Sequence, residues 1–227
     1  MTNLLEVNDV IKTFAQPGGG RLTVLDIPQF RIEEGEQVAL VGTSGGGKTT
    51  LLHLIAGLLT PDSGSLTLDG TELTRLSEQG RDRFRASKIG YVFQTFNLLP
   101  AFSAIENVRL GMTFGSGRQD TERAKDLLGR VGLADRANYR PSQLSVGQQQ
   151  RVAIARALAG KPRLLLADEP TANVDPVSAE SVLELIRSSC RDEDIAMLIV
   201  THDMDIAAKF DRIERLEDIN RALAPTA

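Results

Sequence analysis

The chain has 227 residues, long enough for one well-buried core, and its 41% hydrophobic and 25% charged content is that of an ordinary globular protein. A net charge of -4 excludes a broad electrostatic footprint for DNA, RNA or anionic lipid, so no nucleic-acid partner is expected. The lone Cys190 excludes an internal disulfide, no apolar run approaches the roughly 18 residues of a membrane span, and Met1 to Glu6 lacks the features of a signal peptide, so the chain is expected in the cytoplasm.

Leu4 to Phe14 and Leu22 to Phe30 read as two strands around the turn Gln16-Pro17-Gly18-Gly19-Gly20, a leading antiparallel β unit. Phe14 closes the first strand. Its ring is either one more core aromatic or a platform for a flat base, and the loop that follows favours the platform. Val38 to Val41 is then an apolar strand, Gly42-Thr43-Ser44-Gly45-Gly46-Gly47-Lys48-Thr49-Thr50 a glycine-rich loop, and Leu51 to Ala56 the body of a helix. The loop fits G-x-x-x-x-G-K-[ST], in which small side chains let the backbone curl and aim successive N–H groups at a polyphosphate. The helix N-terminus adds the positive end of its dipole. Lys48 would reach the outer phosphates as a point charge, and the Thr49 hydroxyl would ligate Mg²⁺. An ordinary flexible loop would not be framed by a strand and a helix in this order.

Thr60-Pro61-Asp62-Ser63-Gly64 marks a turn, and Ser65 to Leu68 alternates as a short strand. Arg81, Arg83, Arg85 and Lys88 then crowd a helical stretch whose charges make no single stripe, as on a solvated face. Ile89 to Gln94 is a β-rich run ending in a polar amide, which places Gln94 at the C-terminal end of a strand, where α/β folds bind ligands. From about 95 to 160 the pattern turns helical: Ser103 and Glu106 form a capping box, and helices are predicted over Asp120 to Val131 and Gln148 to Ala159. This stretch is expected to be a helical subdomain inserted in one domain spanning 1–227. Phe96, Leu98, Leu99 and Phe102, at its start, form either a satellite core or a patch that docks a partner.

Leu164 to Ala167 is an apolar strand carrying Asp168 and Glu169 at its end. Two consecutive carboxylates do not belong in a strand core, so both are expected to emerge at the sheet edge. Asp168 is suited to holding Mg²⁺ through its shell and Glu169 to polarising an attacking water. Helix-capping acids are the alternative, but Pro170 follows directly and the next helix is predicted to begin only near Pro176. Ala196 to Val200 is another apolar strand, followed by Thr201-His202-Asp203, so His202 repeats the position of Gln94 and Glu169 just past a buried strand. A short helix is predicted over Asp205 to Phe210 and a short strand over Arg212 to Leu216, before an uninformative polar tail.

These motifs, in this order, resemble the ATP-binding subunit of an ABC transporter: an α/β P-loop NTPase core with a leading antiparallel β unit and an inserted helical subdomain. The resemblance makes Gly42 to Thr49 the Walker A loop, Gln94 the Q-loop, Leu144-Ser145-Val146-Gly147-Gln148 the signature sequence, and Leu164 to Asp168 the Walker B strand. It makes Glu169 the general base, Asn173 to Asp175 the D-loop and His202 the switch histidine, acting in catalysis with Gln94. It implies an ATP site formed by Phe14, Gly42, Thr43, Ser44, Gly45, Gly46, Gly47, Lys48, Thr49, Thr50, Ser145, Gly147, Gln148 and Asp175, with Mg²⁺ held by Thr49, Gln94 and Asp168. The implied unit is an ATP-dependent homodimer docked on an integral membrane permease at the cytoplasmic face of the membrane. YVFQTFNLLP from Tyr91 to Pro100 and the glutamines 148–150 are most similar to subunits serving lipoprotein-releasing, macrolide-efflux and haem-efflux permeases. A hydrolysing scaffold in a membrane complex such as a cell-division assembly stands as the alternative. Three departures are notable: Val146 where a glycine is usual, Phe14 where tyrosine is common, and Leu216-Glu217-Asp218-Ile219 without the glycine that commonly follows the acid. Ser145 and Gly147 remain, so function is expected to survive the first; stacking needs only a ring, so little is lost at the second; the third leaves the final hairpin undetermined by the resemblance.

Overall fold

The computed structural model describes residues 2–113, 120–174 and 176–223. In chain order the elements are β1 (Asn3–Ala15), β2 (Arg21–Glu33), β3 (Gln37–Val41), α1 (Lys48–Ile55), β4 (Ser63–Leu68), β5 (Thr71–Glu72), α2 (Glu78–Lys88), β6 (Ile89–Val92), α3 (Ala104–Thr113), α4 (Thr121–Arg130), α5 (Val146–Ala159), β7 (Leu164–Asp168), α6 (Pro176–Asp192), β8 (Ala196–Val200), α7 (Met204–Ala207), β9 (Arg212–Arg215) and α8 (Leu216–Ile219). Two compact units result, one from the chain up to Arg81 and from Leu198 onward, the other from Asp82 to Met197. None of the described helices is long and apolar enough to cross a membrane.

In the first unit an antiparallel sheet runs in the order β2-β1-β4-β5. Leu5 and Val7 of β1 point into the core, but the next buried residue is Val10, one position out of phase. The switch coincides with a break in the β1–β4 register between Asn8 and Ile11, where Asp9 takes φ 50°. An extra residue there turns the second half of the strand without exposing its apolar side. β3 pairs in parallel with β9, from Val38 opposite Arg212 to Val41 opposite Arg215. Val38 to Val41 are all buried, as befits a strand covered on both faces.

The end of the chain departs from expectation in three places. Helix α7 spans Met204–Ala207 rather than Asp205 to Phe210: it ends three residues early, and it starts one early because the Asp203 carboxylate accepts the N–H groups of Asp205 at 2.9 Å and Ile206 at 3.3 Å and so acts as the cap. Strand β9 stops at Arg215, since Leu216 already begins α8. The tail is also not featureless: buried Asn220 donates to the Val24 carbonyl at 2.9 Å and accepts the Asp26 N–H at 2.8 Å, tying the chain end to β2.

In the second unit β6 and β7 pair in parallel, from Ile89 opposite Leu164 to Val92 opposite Ala167. Between them the described residues are helical or irregular. Ser103 and Glu106 do form a box ahead of α3, and Asp120 caps α4 by accepting the Arg123 N–H at 2.9 Å. α5 is the central helix of this unit, with Val152 to Ala155 and Ala157 to Ala159 all buried. Its C-terminal carbonyls of Leu158 and Ala159 accept from Arg123, whose guanidinium also holds Glu193 at 2.7 Å beyond the end of α6. α2 buries none of its residues, in keeping with a solvated face.

Candidate functional site

The glycine-rich loop leaves β3 and enters α1 through Gly47, which adopts φ 106° as the N-cap. A β-carbon there would sit 2.9 Å from the Leu25 side chain in a conformation that L-residues resist, so only glycine brings the helix start this close to β2. Gly47 also offers no side-chain cap to the first-turn N–H groups, which leaves them for an anion. Lys48 is buried, and its Nζ donates to the carbonyls of Gly42 at 2.8 Å and Thr43 at 2.9 Å, closing the loop into a ring with an ammonium at its centre. Ser44 and Gly45 are exposed at its crest, and Thr49 is exposed in the first turn of α1, with Thr50 beside it. A ring of backbone donors, a fixed cation and an exposed hydroxyl fit a polyphosphate with its metal.

His202 joins the loop. The Thr201 N–H donates to the Leu40 carbonyl at 3.2 Å, which holds the residue after β8 beside the end of β3. Gly42, Thr43, Ser44, His202, Glu217 and Asp218 line a cleft of about 480 Å³. Glu217 is a member that sequence reasoning missed: its carboxylate accepts the Thr43 N–H at 2.8 Å. That N–H, then the residue's own backbone N–H, holds the Glu217 carboxyl below its ordinary range, with the Lys48 charge adding to the effect. No local pattern around it points to this contact, which joins residues 174 apart in the chain. Phe14 is exposed at the end of β1 with the Lys12 ammonium 5.5 Å from its ring centre. Its strand end is fixed by Asp62, which accepts the Thr13 N–H at 2.7 Å and hydroxyl at 2.8 Å. An exposed, braced ring is what stacking on a base needs, and the core alternative fails.

In the second unit only one of the two acids emerges as expected: Asp168 is still the last residue of β7 and is buried, while Glu169 lies just past the strand at φ 43°. A left-handed non-glycine residue costs on the order of 1–3 kcal/mol, and such strain is found where geometry serves chemistry. The Ala172 N–H donates to the Glu169 carbonyl at 3.1 Å and closes the turn. Burial, and after it the Asp168 charge, raise the pKa of the Tyr91 phenol far above its ordinary value and keep it neutral. Gln94 is exposed two residues beyond β6, and Asn173 Nδ2 donates to its carbonyl at 2.7 Å, joining two motifs that sequence reasoning held apart. Asp175 lies outside the described residues.

Ser145 caps α5: its hydroxyl accepts the Gln148 N–H at 3.3 Å, and the Gln148 amide accepts the Ser145 N–H at 2.9 Å. The helix therefore starts at Val146, two residues before the predicted Gln148, and Gly147 lies in its first turn. Val146 needs no positive φ, so its β-carbon costs nothing in the backbone. Phe96 and Leu98 are half-buried, and Leu99 and Phe102 are exposed, which is a surface patch rather than a satellite core. Arg156 of α5 carries this loop by donating to the carbonyls of Asn97 at 2.6 Å and Phe96 at 2.8 Å.

A strand, a glycine loop closed on a buried lysine and an uncapped helix start define a P-loop nucleotide-binding protein. The model of the ABC transporter family matches residues 25–172. The lipoprotein-releasing system ATP-binding protein LolD of Cereibacter sphaeroides is 46% identical over 220 residues, covering 96% of this chain and 98% of its own. LolD 2 of Caulobacter vibrioides is 46% identical over 201 residues, covering 88% of each. Among solved structures, the dimeric post-hydrolysis state of the ATP-binding cassette MJ0796 with ADP and Pi superposes with a TM-score of 0.86 at 37% identity, covering 94% of each chain. A second dimeric structure of MJ0796, described as a bacterial ABC transporter cassette, gives 0.84 at 37% identity over 93% of each chain. The chain belongs to the ABC transporter family, as an ATP-hydrolysing, nucleotide-binding subunit with that family's α/β fold.

Proposed function

We propose that this chain, a single ABC ATPase domain with a helical subdomain at about 95–160, hydrolyses ATP to power a membrane permease that releases lipoproteins. The observation that carries the reading is the loop at Gly42 to Thr49 closed on buried Lys48, in a chain 46% identical over nearly its whole length to proteins named for lipoprotein release. Those names favour release over small-molecule efflux. The chain works as a nucleotide-dependent homodimer held at the cytoplasmic face of the membrane by its permease.

In this reading the loop N–H groups from Ser44 to Thr50 grip the phosphates, Phe14 stacks on the base, and Lys48 leaves the Gly42 and Thr43 carbonyls for the outer phosphates. The Thr49 hydroxyl, Gln94 and, through its shell, Asp168 would hold Mg²⁺, which would supply neutralisation of charge on the phosphates. Glu169 takes the proton of the attacking water, and His202 with Gln94 orients the γ-phosphate side. The partner's Ser145, Gly147 and Gln148 close the site, and Asp175 belongs to the D-loop contact. Lys48→Ala removes the fixed cation, so nucleotide affinity itself is expected to fall by about 10-fold or more, measured by titration with a fluorescent ATP analogue. Unchanged affinity would take Lys48 out of the site. The proposed substrate is tested by tagging the chain in cells, purifying the membrane complex and assaying ATP-dependent release of a lipoprotein from liposomes.

The permease docks at the patch around Leu99 and Phe102. Beside it lies an apolar groove of about 470 Å³ lined by Tyr91, Phe93, Leu99, Leu110 and Pro162, suited to a helix end. The loop is built from within by fully buried Asn107, whose Nδ2 donates to the carbonyls of Leu99, Phe102 and Ser103 and whose Oδ1 accepts the Leu99 N–H at 2.8 Å. Leu99→Ser with Phe102→Ser therefore leaves the loop intact but removes side chains worth roughly 1.5–3 kcal/mol each on burial. The double variant is expected to fold with normal basal ATPase activity and to lose the permease on copurification.

A further inference from the structure

The glutamines at the start of α5 have different partners. Gln148 serves the cap at Ser145, and Gln149 Nε2 donates back to the Leu144 carbonyl at 3.1 Å. Gln150 points into the unit, is fully buried, and donates from Nε2 to the Pro170 carbonyl at 2.7 Å. Its Oε1 has no hydrogen-bond partner among the described residues. A buried amide with one orphaned acceptor is a poorer stabiliser than an apolar side chain of the same length, so packing alone does not explain it.

Pro170 directly follows Glu169. The proline ring fixes φ at its own residue, and the Ala172 N–H on the Glu169 carbonyl closes the turn, so the Gln150 bond is a direct link between α5 and the backbone that aims the Glu169 carboxylate. The strained φ of 43° at Glu169 needs such outside support. Five residues before Gln150, on the same helix, Ser145 caps the exposed end of α5. A helix transmits a small displacement along its length as one body.

We propose that Gln150 is a positioning residue that aims Glu169 and ties its geometry to the seating of the Ser145 end of α5. The proposal rests on the reading of Glu169 as the base. In the homodimer proposed above Ser145 faces the partner's nucleotide, so Gln150 makes capture of that nucleotide a condition for hydrolysis at this chain's own acid. It thereby couples the two sites.

The test is Gln150→Met in the full-length protein, which keeps side-chain length and removes the amide. Gln150→Leu is the second variant should methionine overcrowd the site. Turnover is expected to fall about 10-fold or more, with ATP affinity and thermal midpoint unchanged, because the loss is one of orientation. Single-turnover rates are then measured in the Glu169→Gln background, where Gln150→Met is expected to cost nothing further. Unchanged turnover in the single variant overturns the proposal, as does an equal fractional loss in both backgrounds or a matching loss of ATP affinity. Wild-type turnover in Glu169→Gln alone would instead overturn the assignment of the base, which separates the two failures.

Discussion

Glu169→Gln is expected to lower ATP turnover about 100-fold or more while nucleotide still binds. The side chain that replaces Glu169 has the same shape and keeps much of the hydrogen bonding, but it cannot take a proton from water. Glu169 is the acid next to buried Asp168, and it alone of the pair lies outside the strand, in a left-handed conformation whose strain would have no purpose in a mere cap. The loop N–H groups and Lys48, which grip the phosphates in the proposed site, are untouched by the change, so binding is expected to persist. The measurement is single-turnover hydrolysis beside a nucleotide titration. Wild-type turnover in this variant would remove Glu169 from the role. The pair Glu169→Gln and Lys48→Ala thus separates chemistry from binding: the first keeps affinity and loses rate, the second loses affinity.

What could be read from the sequence was what local pattern controls. The strand, glycine loop and helix from Val38 to Ala56 were legible because strand hydrophobicity, small loop residues and helix entry are contiguous, and the buried stretches Val38 to Val41, Leu164 to Ala167 and Ala196 to Val200 read as continuous apolar runs. Capping residues were legible too, although Ser145 and Asp203 each start a helix earlier than the apolar pattern alone suggested. The rest depends on contacts between distant parts of the chain. Glu217 reaches Thr43 across 174 residues and Asn220 reaches Asp26 across 194, so a tail without periodicity became part of the loop's support. Asn173 meets Gln94 across 79 residues, a pairing that no spacing rule contains. The phase switch of β1 at Asp9 was hidden for a different reason: a bulge is invisible to strict alternation, and aspartate takes a positive φ more readily than most residues do.

Glu169→Gln with ATP is expected to run as a dimer on size exclusion, and with ADP as a monomer. Each chain carries one phosphate loop, in its first unit, and one signature sequence, at the start of α5 in its second. The start of α5 is open: Ser145 is exposed, and a β-carbon on Gly147 would meet nothing within 4 Å among the described residues beyond its chain neighbours and its own helix backbone. Neither backbone conformation nor internal packing demands glycine at 147, so the small residue keeps room for a visitor. A helix N-terminus with a hydroxyl and open backbone above it binds an anion, and the γ-phosphate on a second chain's loop supplies one. Two such contacts related by a two-fold axis give a closed pair with two nucleotides between the chains, the isologous arrangement that homodimers favour. The dimeric MJ0796 cassettes, at TM-scores of 0.86 and 0.84, support the same assembly. ADP lacks the phosphate that spans the interface, so association follows nucleotide state by mass action, and blocking hydrolysis holds the ATP form in place. Adding Ser145→Arg to Glu169→Gln fills the space over the cap and removes the hydroxyl. That double variant is expected to run as a monomer with ATP while its ATP affinity as a monomer stays near that of the parent, because its own phosphate loop is untouched. A dimer that persists in ADP, or that ignores the arginine, would sink the model.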